Sequence, residues 1–295
     1  MPILGSHLSI AGGYYKAVES AHAVGCDCVQ LFTKNNNQWR AKEITAAEVD
    51  QFRGALSERK ITHPLSHASY LINLASPDEI LWRKSVDSLA VELQRAEQLG
   101  IPYVVVHPGS HTTATEQEGI ALIVKALDEI AARTQNLAAI PLLENVAGQG
   151  SNLGWKFEQL GAMLAGVKDR SRLGVCFDTC HAFAAGYPLG TPNEFQNTWK
   201  QFEKAVGIGL IKAFHLNDSK RELGSRVDRH EHIGEGELGL EPFRLLLADK
   251  RFSTVPMYLE TAKEKNAAGE EWDVVNLRVL RGLTTVTAPP PAARR

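Results

Sequence analysis

Apolar runs in this 295-residue chain stop, one after another, at a histidine or a carboxylate. "THPLSH" ends in His67, "YVVVH" in His107 and "IPLLE" in Glu144. "GVCFDTCH" ends in Asp178 with His181 close behind, "IKAFH" in His215 and "MYLE" in Glu260. The polar stretch after His215 adds Asp228 and His230. Buried together, such groups are costly without partners, and their carboxylates repel one another. Divalent cations relieve both costs. Imidazole and carboxylate without thiolate suit Zn²⁺, and also Mn²⁺ or Fe²⁺, better than Mg²⁺ or Ca²⁺. The set is too large for one tetrahedral zinc but suffices for two or three metals if a carboxylate bridges. Such a cluster activates water and stabilises charge on attacking and leaving oxygens, which is the chemistry of phosphodiester hydrolysis.

Taken singly, each residue has a plainer reading. His107 alone would be a hydrogen-bonded structural histidine. Glu144 or Glu260 alone would pair with a lysine or cap a helix. Repetition at successive strand ends favours metal. His22, His63, His111 and His232 lie in helical, strand or polar-loop contexts and take the plainer reading; His7 reaches the same rim but stays outside the ligand set. Lys220, Arg221, Arg226 and Arg229 cluster between His215 and His230, with Lys34 and Arg40 elsewhere on the rim. This spacing points to phosphate. The net charge is −2 and the pI about 6.6, so phosphate binding must be local rather than spread over a broad basic face.

The elements that must position these groups are short strands alternating with amphipathic segments. Strands are expected at 3–6, 28–33, 62–66, 103–106, 140–143, 173–177, 210–214 and 255–259. Helical patterns start near Thr45, Pro77 and Thr115, the last two with acidic first turns, and Gly100 reads as a helix stop. Eight strand–helix units indicate an α/β chain folded as a single-domain (β/α)8 TIM barrel, with the active site at the C-terminal ends of the strands. A doubly wound open sheet is the alternative, but no Gly-rich dinucleotide fingerprint follows the first strand. The barrel is expected over 1–282, with a disordered Pro/Ala/Arg tail over 283–295. Cys26, Cys28, Cys176 and Cys180 contain no C-x-x-C pair and read as reduced, buried residues, the first two on one strand face. No secretory signal or membrane span is evident.

With these residues assembled, the chain resembles the endonuclease IV family, zinc-dependent apurinic/apyrimidinic endonucleases of base-excision repair. The resemblance runs from "GSHLSIAGG" to "YLET". "HASYLINLA", "GVCFDTCHAFAAGY" and "HLNDSKRELGSRVDRHEHIGEG" carry it most specifically, supported by "FTKNNNQW", "HPGSH" and "ENVAGQGSNLG". It implies three Zn²⁺ per chain, with Mn²⁺ or Fe²⁺ as alternatives at some positions. One would take His67 and His107 and share Glu144 with a second. The second would also take Asp178, His215 and Glu260. The third would take His181, Asp228 and His230. Glu144 and Glu260 would act catalytically through the cluster, where a metal-held hydroxide attacks the phosphorus 5′ to an abasic sugar. The products would be a 3′-hydroxyl and a 5′-deoxyribose phosphate, and blocked 3′ ends would also be trimmed. The implied partner is double-stranded DNA containing abasic sites or blocked 3′ ends. The reduced cysteines suit a cytoplasmic protein, nucleoid-associated at work, and the resemblance further implies a monomer with no obligatory protein partner. Tyr70 and Leu71 match two positions that wedge into DNA, and Lys220, Arg226 and Arg229 would meet its backbone. Unstacking costs least at an abasic site, which supports this logic.

Two other readings compete. Metal-dependent sugar isomerases and epimerases share such a barrel but need fewer ligands, so the group built on His181 separates them. A non-catalytic damage-binding protein would be expected to lack a ligand. The chain departs from the family at Asn37, where an arginine is usual, and at Phe177, where an aliphatic residue is usual. Phe177 should alter only packing. Asn37 cannot fill the same gap in the duplex or supply the charge. Asn37→Arg is therefore expected to gain about 1 kcal/mol, or about fivefold, in affinity for abasic duplex measured by fluorescence anisotropy. Unchanged affinity would count against that role.

Overall fold

The computed structural model describes residues 1–285. Its barrel strands are β1 (Leu4–His7), β2 (Cys28–Phe32), β3 (Thr62–His67), β4 (Tyr103–Val106), β5 (Ile140–Glu144), β6 (Gly174–Asp178), β7 (Ile211–His215) and β8 (Met257–Leu259). Each pairs in parallel with its sequence neighbours, and β8 pairs with β1 to close the ring. Closure rules out the open doubly wound sheet.

The strand positions agree with the sequence pattern apart from their ends. β8 begins later than expected because Val255 N–H completes a turn to Phe252 O (3.0 Å) and Pro256 has no N–H to give. Cys26 lies before β2 and packs in the outer core, so it does not share a strand face with Cys28. All four cysteines are free and buried, as expected.

Two layers of apolar packing hold the barrel. Inside it, Cys28, Leu65, Val105, Leu142, Cys176, Ala213 and Tyr258, one from each of β2 to β8, form a closed plug. Outside it, the other strand faces pack on the helices, and Phe177 joins an aromatic group with Phe157, Trp199, Phe202 and Phe214. The helices start where the sequence provides caps. Thr45, Thr115 and Thr191 each form a capping box with the glutamate three residues on, worth about 1 kcal/mol apiece. The first three helices are α1 (Tyr14–Ala23), α2 (Ala46–Arg59) and α3 (Glu79–Leu99). Helix α3 is capped by Asp78 and ends at Gly100, whose φ of 77° is left-handed. The last helix runs Trp272–Thr285, past the expected boundary at Gly282; residues 286–295 of the expected tail lie outside the described residues. No helix among the described residues is long and apolar enough to cross a membrane.

Two short antiparallel ribbons lie beyond the strand ends. Gly109–Ser110 pairs with Asn152–Leu153, and Asp218–Ser219 pairs with His230–Glu231. The second brings His230 back over the barrel mouth. Asp218, fully buried, pins this return: its carboxylate accepts from the backbone N–H groups of Ser219 (2.7 Å), Leu238 (2.9 Å), Gly234 (3.0 Å) and Gly236 (3.2 Å). A Cβ at Gly236 would run into the Ser219 carbonyl and this carboxylate, so the close approach requires glycine. Asp218→Ala would leave four donors without their acceptor. It is expected to lower stability in urea denaturation of the metal-free protein by about 3 kcal/mol. A loss within error would mean that the loop is held by other contacts.

Candidate metal centre

Parallel strands put all their C-terminal ends on one face, and the barrel gathers the candidate ligands there. His67, Glu144, Asp178 and His215 are the last residues of β3, β5, β6 and β7. His107 and Glu260 follow β4 and β8 directly. His181 sits in the first turn of the helix Thr179–Ala184, whose N-cap is Asp178, accepting from His181 N–H at 2.7 Å. Asp228 and His230 arrive on the loop pinned by Asp218.

Glu144 occupies the middle. Its Oε2 lies 3.1 Å from His107 Nε2 and 3.3 Å from His67 Nε2. Its Oε1 lies 2.8 Å from His215 Nδ1 and 3.2 Å from His181 Nδ1. Glu260 Oε2 is 3.1 Å from His215 Nδ1. Three groups have mutually close ligand atoms, within 4.8 Å: His67, His107 and Glu144; Glu144, Asp178, His215 and Glu260; and Asp178, His181 and His230. Glu144 joins the first two groups, and Asp178 joins the last two. Asp228 approaches the third group from the solvent side, its carboxylate 3.1 Å from His181 Nε2 and 3.3 Å from His230 Nε2 with 39% of the side chain exposed. Asp178 is thus a neighbour of the third group as well as the second.

The electrostatics fit a cation site. Burial alone would raise Glu144 and Glu260, but His215 and further imidazoles hold both carboxyls well below the usual range. Burial keeps Asp178 raised despite His181 and His230. Burial would also lower the histidines. Asp178 and Asp228 override it at His181, and Cys176, Glu260 and Glu144 override it at His215; both imidazoles are raised well above their ordinary value. Raised imidazoles beside lowered carboxyls favour the charged form of each, so protons on these rings are the expected counter-charge to the carboxylates when no metal is bound. Oxygen and nitrogen donors in compact, shared groups are also a set that divalent cations can replace those protons on.

The sequence reading missed the residues that orient these groups. Gln30, buried within β2, accepts from His215 Nε2 through Oε1 (2.7 Å) and donates to Glu260 Oε1 through Nε2 (2.5 Å). This turns His215 Nδ1 inward. The same amide is 2.8 Å from His7 Nδ1. Asn217 donates to Asp178 Oδ2 (2.7 Å) and accepts from Glu260 N–H (2.8 Å). Asn145 accepts from Asp178 N–H (2.8 Å), and its carbonyl faces His181 Nδ1 at 2.9 Å. One signal was available: a glutamine inside the apolar run "CVQLF" needs a buried partner.

Around the mouth, Tyr70 is 55% exposed, with its ring 5.0 Å from His67 and 5.7 Å from His107, and Leu71 beside it is half-buried. Tyr70 and the exposed Asn37 line one cleft of about 690 Å³ together with Glu260 and Lys263. Arg229 lines a second, with His107, His181, Asp228 and His230. Lys220 and Arg229 are exposed, whereas Arg226 lies over the Trp155 ring (4.4 Å) and donates to Gly150 O (3.2 Å). Lys34 corrects the reading of a basic rim. It is buried against Glu92 at 3.2 Å and is not free to meet phosphate.

Comparison with known proteins agrees with this geometry. The model of the xylose isomerase-like TIM barrel family matches residues 18–281. A probable endonuclease 4 of Citrifermentans bemidjiense is 47% identical over 283 residues, covering 96% of this chain and 99% of that protein. The probable endonuclease 4 of Chloroflexus aggregans is 45% identical over 289 residues, covering 98% and 100%. The solved endonuclease IV from Thermus thermophilus superimposes with a TM-score of 0.82 at 38% identity, covering 96% and 99%. A D-tagatose 3-epimerase-like protein gives 0.70 at 20% identity, a likeness of fold alone. The chain belongs to the endonuclease IV family of xylose isomerase-like TIM barrels.

Proposed function

We propose that the protein is a DNA-repair endonuclease that hydrolyses the phosphodiester 5′ to abasic sites in double-stranded DNA, leaving a 3′-hydroxyl and a 5′-deoxyribose phosphate. The same centre trims blocked 3′ ends. The observation that carries this reading is the three ligand groups joined through Glu144 and Asp178 at the mouth of an endonuclease IV barrel.

The ligand groups are assigned three Zn²⁺, with Mn²⁺ or Fe²⁺ able to replace it at some positions. Bound there, the cations supply an activated water and neutralise charge on the phosphate. His67 and His107 serve the first group with Glu144. Asp178, His215 and Glu260 serve the second, again with Glu144. His181, Asp228 and His230 serve the third, which Asp178 also faces. Glu144 and Glu260 hold the reacting centre in register because His215 Nδ1 lies against both. Asp228 is the most exposed carboxylate of the set.

Substrate selection falls to the rim. Tyr70 and Leu71 fill the space left by the extrahelical nucleotide, beside Asn37. Lys220 and Arg229 meet the backbone from the loop after β7. Arg226 contributes from a fixed position on Trp155. The protein acts as a monomer, in the compartment that holds the DNA.

Metal-replete protein is expected to cut a duplex carrying one abasic analogue immediately 5′ to it and to spare the intact duplex. His107→Ala is expected to reduce the rate by more than about 100-fold, beyond what changes outside the ligand set cause. The product position and rate are read on a sequencing gel. No incision by folded, metal-loaded wild-type protein would overturn the assignment.

A further inference from the structure

Helix α3 lies outside the barrel, yet one of its carboxylates reaches two loops of the rim. Glu92 is 1% exposed. Its Oε1 is 3.2 Å from Lys34 Nζ and accepts from Ser69 N–H at 3.3 Å. Its Oε2 accepts from the Thr33 hydroxyl at 2.8 Å. Lys34 then donates to Gln38 O at 2.7 Å, closing the loop that carries Asn37. Ser69, next to Tyr70, donates its hydroxyl to Asn36 O at 2.5 Å and accepts from Leu71 N–H at 3.3 Å. One helical turn further along α3, Arg95 supports the same loop, donating to the Thr33 hydroxyl at 3.3 Å and to Tyr14 OH at 2.7 Å.

A buried ion pair is a poor source of stability, because removing both charges from water offsets most of their attraction. It does impose direction. Here every direction leads to the loop after β2 or the loop after β3, which touch through the Ser69–Asn36 hydrogen bond and both line the cleft that holds Asn37 and Tyr70. We propose that Glu92 is a positioning residue for duplex engagement, locking these two loops into one platform. This rests on the reading of the substrate as duplex DNA. A platform formed in advance removes the cost of ordering two loops when the duplex binds. The metal centre has its own supports in Gln30, Asn145 and Asn217, so the platform and the chemistry separate in experiment.

Glu92→Gln keeps the size and one acceptor but removes the charge opposite Lys34. In zinc-loaded protein, hydrogen exchange read by mass spectrometry is expected to quicken about tenfold in peptides covering both 34–38 and 69–72. On abasic duplex, KM is expected to rise about tenfold while kcat changes less than about twofold. Hydrolysis of bis(p-nitrophenyl) phosphate, which is too small to use the rim, is expected to keep its wild-type rate. If this variant does not fold, Glu92→Met with Lys34→Met removes both charges together, and the same split is expected. Quickened exchange in only one loop, or an unchanged KM, would overturn the proposal. So would an equal loss on the small diester, which would place the effect at His67 rather than at the rim. If the wild-type protein did not incise abasic duplex, the substrate reading would fail, while the exchange data would still decide whether Glu92 couples the loops.

Discussion

The carboxylate of Glu144 is fully buried among four imidazoles, and the rest of the mouth is arranged around it. A carboxylate cannot stay ionised out of water unless positive charge lies close on several sides. His67 and His215 end β3 and β7, His107 follows β4 and His181 opens the helix after β6, so consecutive parallel strands deliver all four to the carboxylate at the end of β5. Asp178 and Glu260 crowd the same space with like charge. The raised imidazoles are expected to balance this charge with protons in the metal-free protein, and metals can take their place.

Much of this was legible because a parallel barrel turns sequence position into location. A residue at a strand's C-terminal end has one place to go, so His67, Glu144, Asp178, His215 and Glu260 could be assigned to one funnel before any distance was known. Asp228 and His230 were harder, since their place depends on a loop. Asp218 and Gly236 hold that loop back over the mouth, and neither stands out by residue type. Gln30 escaped because which side chains of a strand face inward depends on register. Lys34 was misread because its partner, Glu92, is distant in sequence and comes from a helix whose facing residues no local pattern identifies.

The structure divides labour between the strand ends and the loops. Six of the nine ligands sit on or directly after barrel strands, where ladder hydrogen bonds fix the backbone, while His181 lies in the helix after β6 and Asp228 and His230 on the loop pinned by Asp218. The amides of Gln30 and Asn217 fix ligand side chains, and Asn145 holds the Asp178 backbone and faces His181 with its carbonyl. Groups assigned to DNA sit one step outward on loops: Asn37, Tyr70, Leu71, Lys220 and Arg229. The loop arrangement suits a surface that must adapt to a large partner, and the strand-end arrangement suits a centre that must not move. Distant sugar epimerases share the barrel, but fold alone does not assign a substrate. The likeness to endonuclease IV spans nearly the whole chain at much higher identity.

The most direct measurement is calorimetric titration of metal-free protein with Zn²⁺ near neutral pH, repeated in buffers of different ionisation enthalpy. Against burial, Asp178 and Asp228 raise His181, and Cys176, Glu260 and Glu144 raise His215, well above their ordinary value, so both are expected to carry protons before metal arrives. Metal binding must expel those protons, and lower pH must weaken binding. The account predicts about three Zn²⁺ per chain, net proton release, and affinity that falls as pH falls. Binding of one ion, or binding with no proton release and no pH dependence, would contradict it.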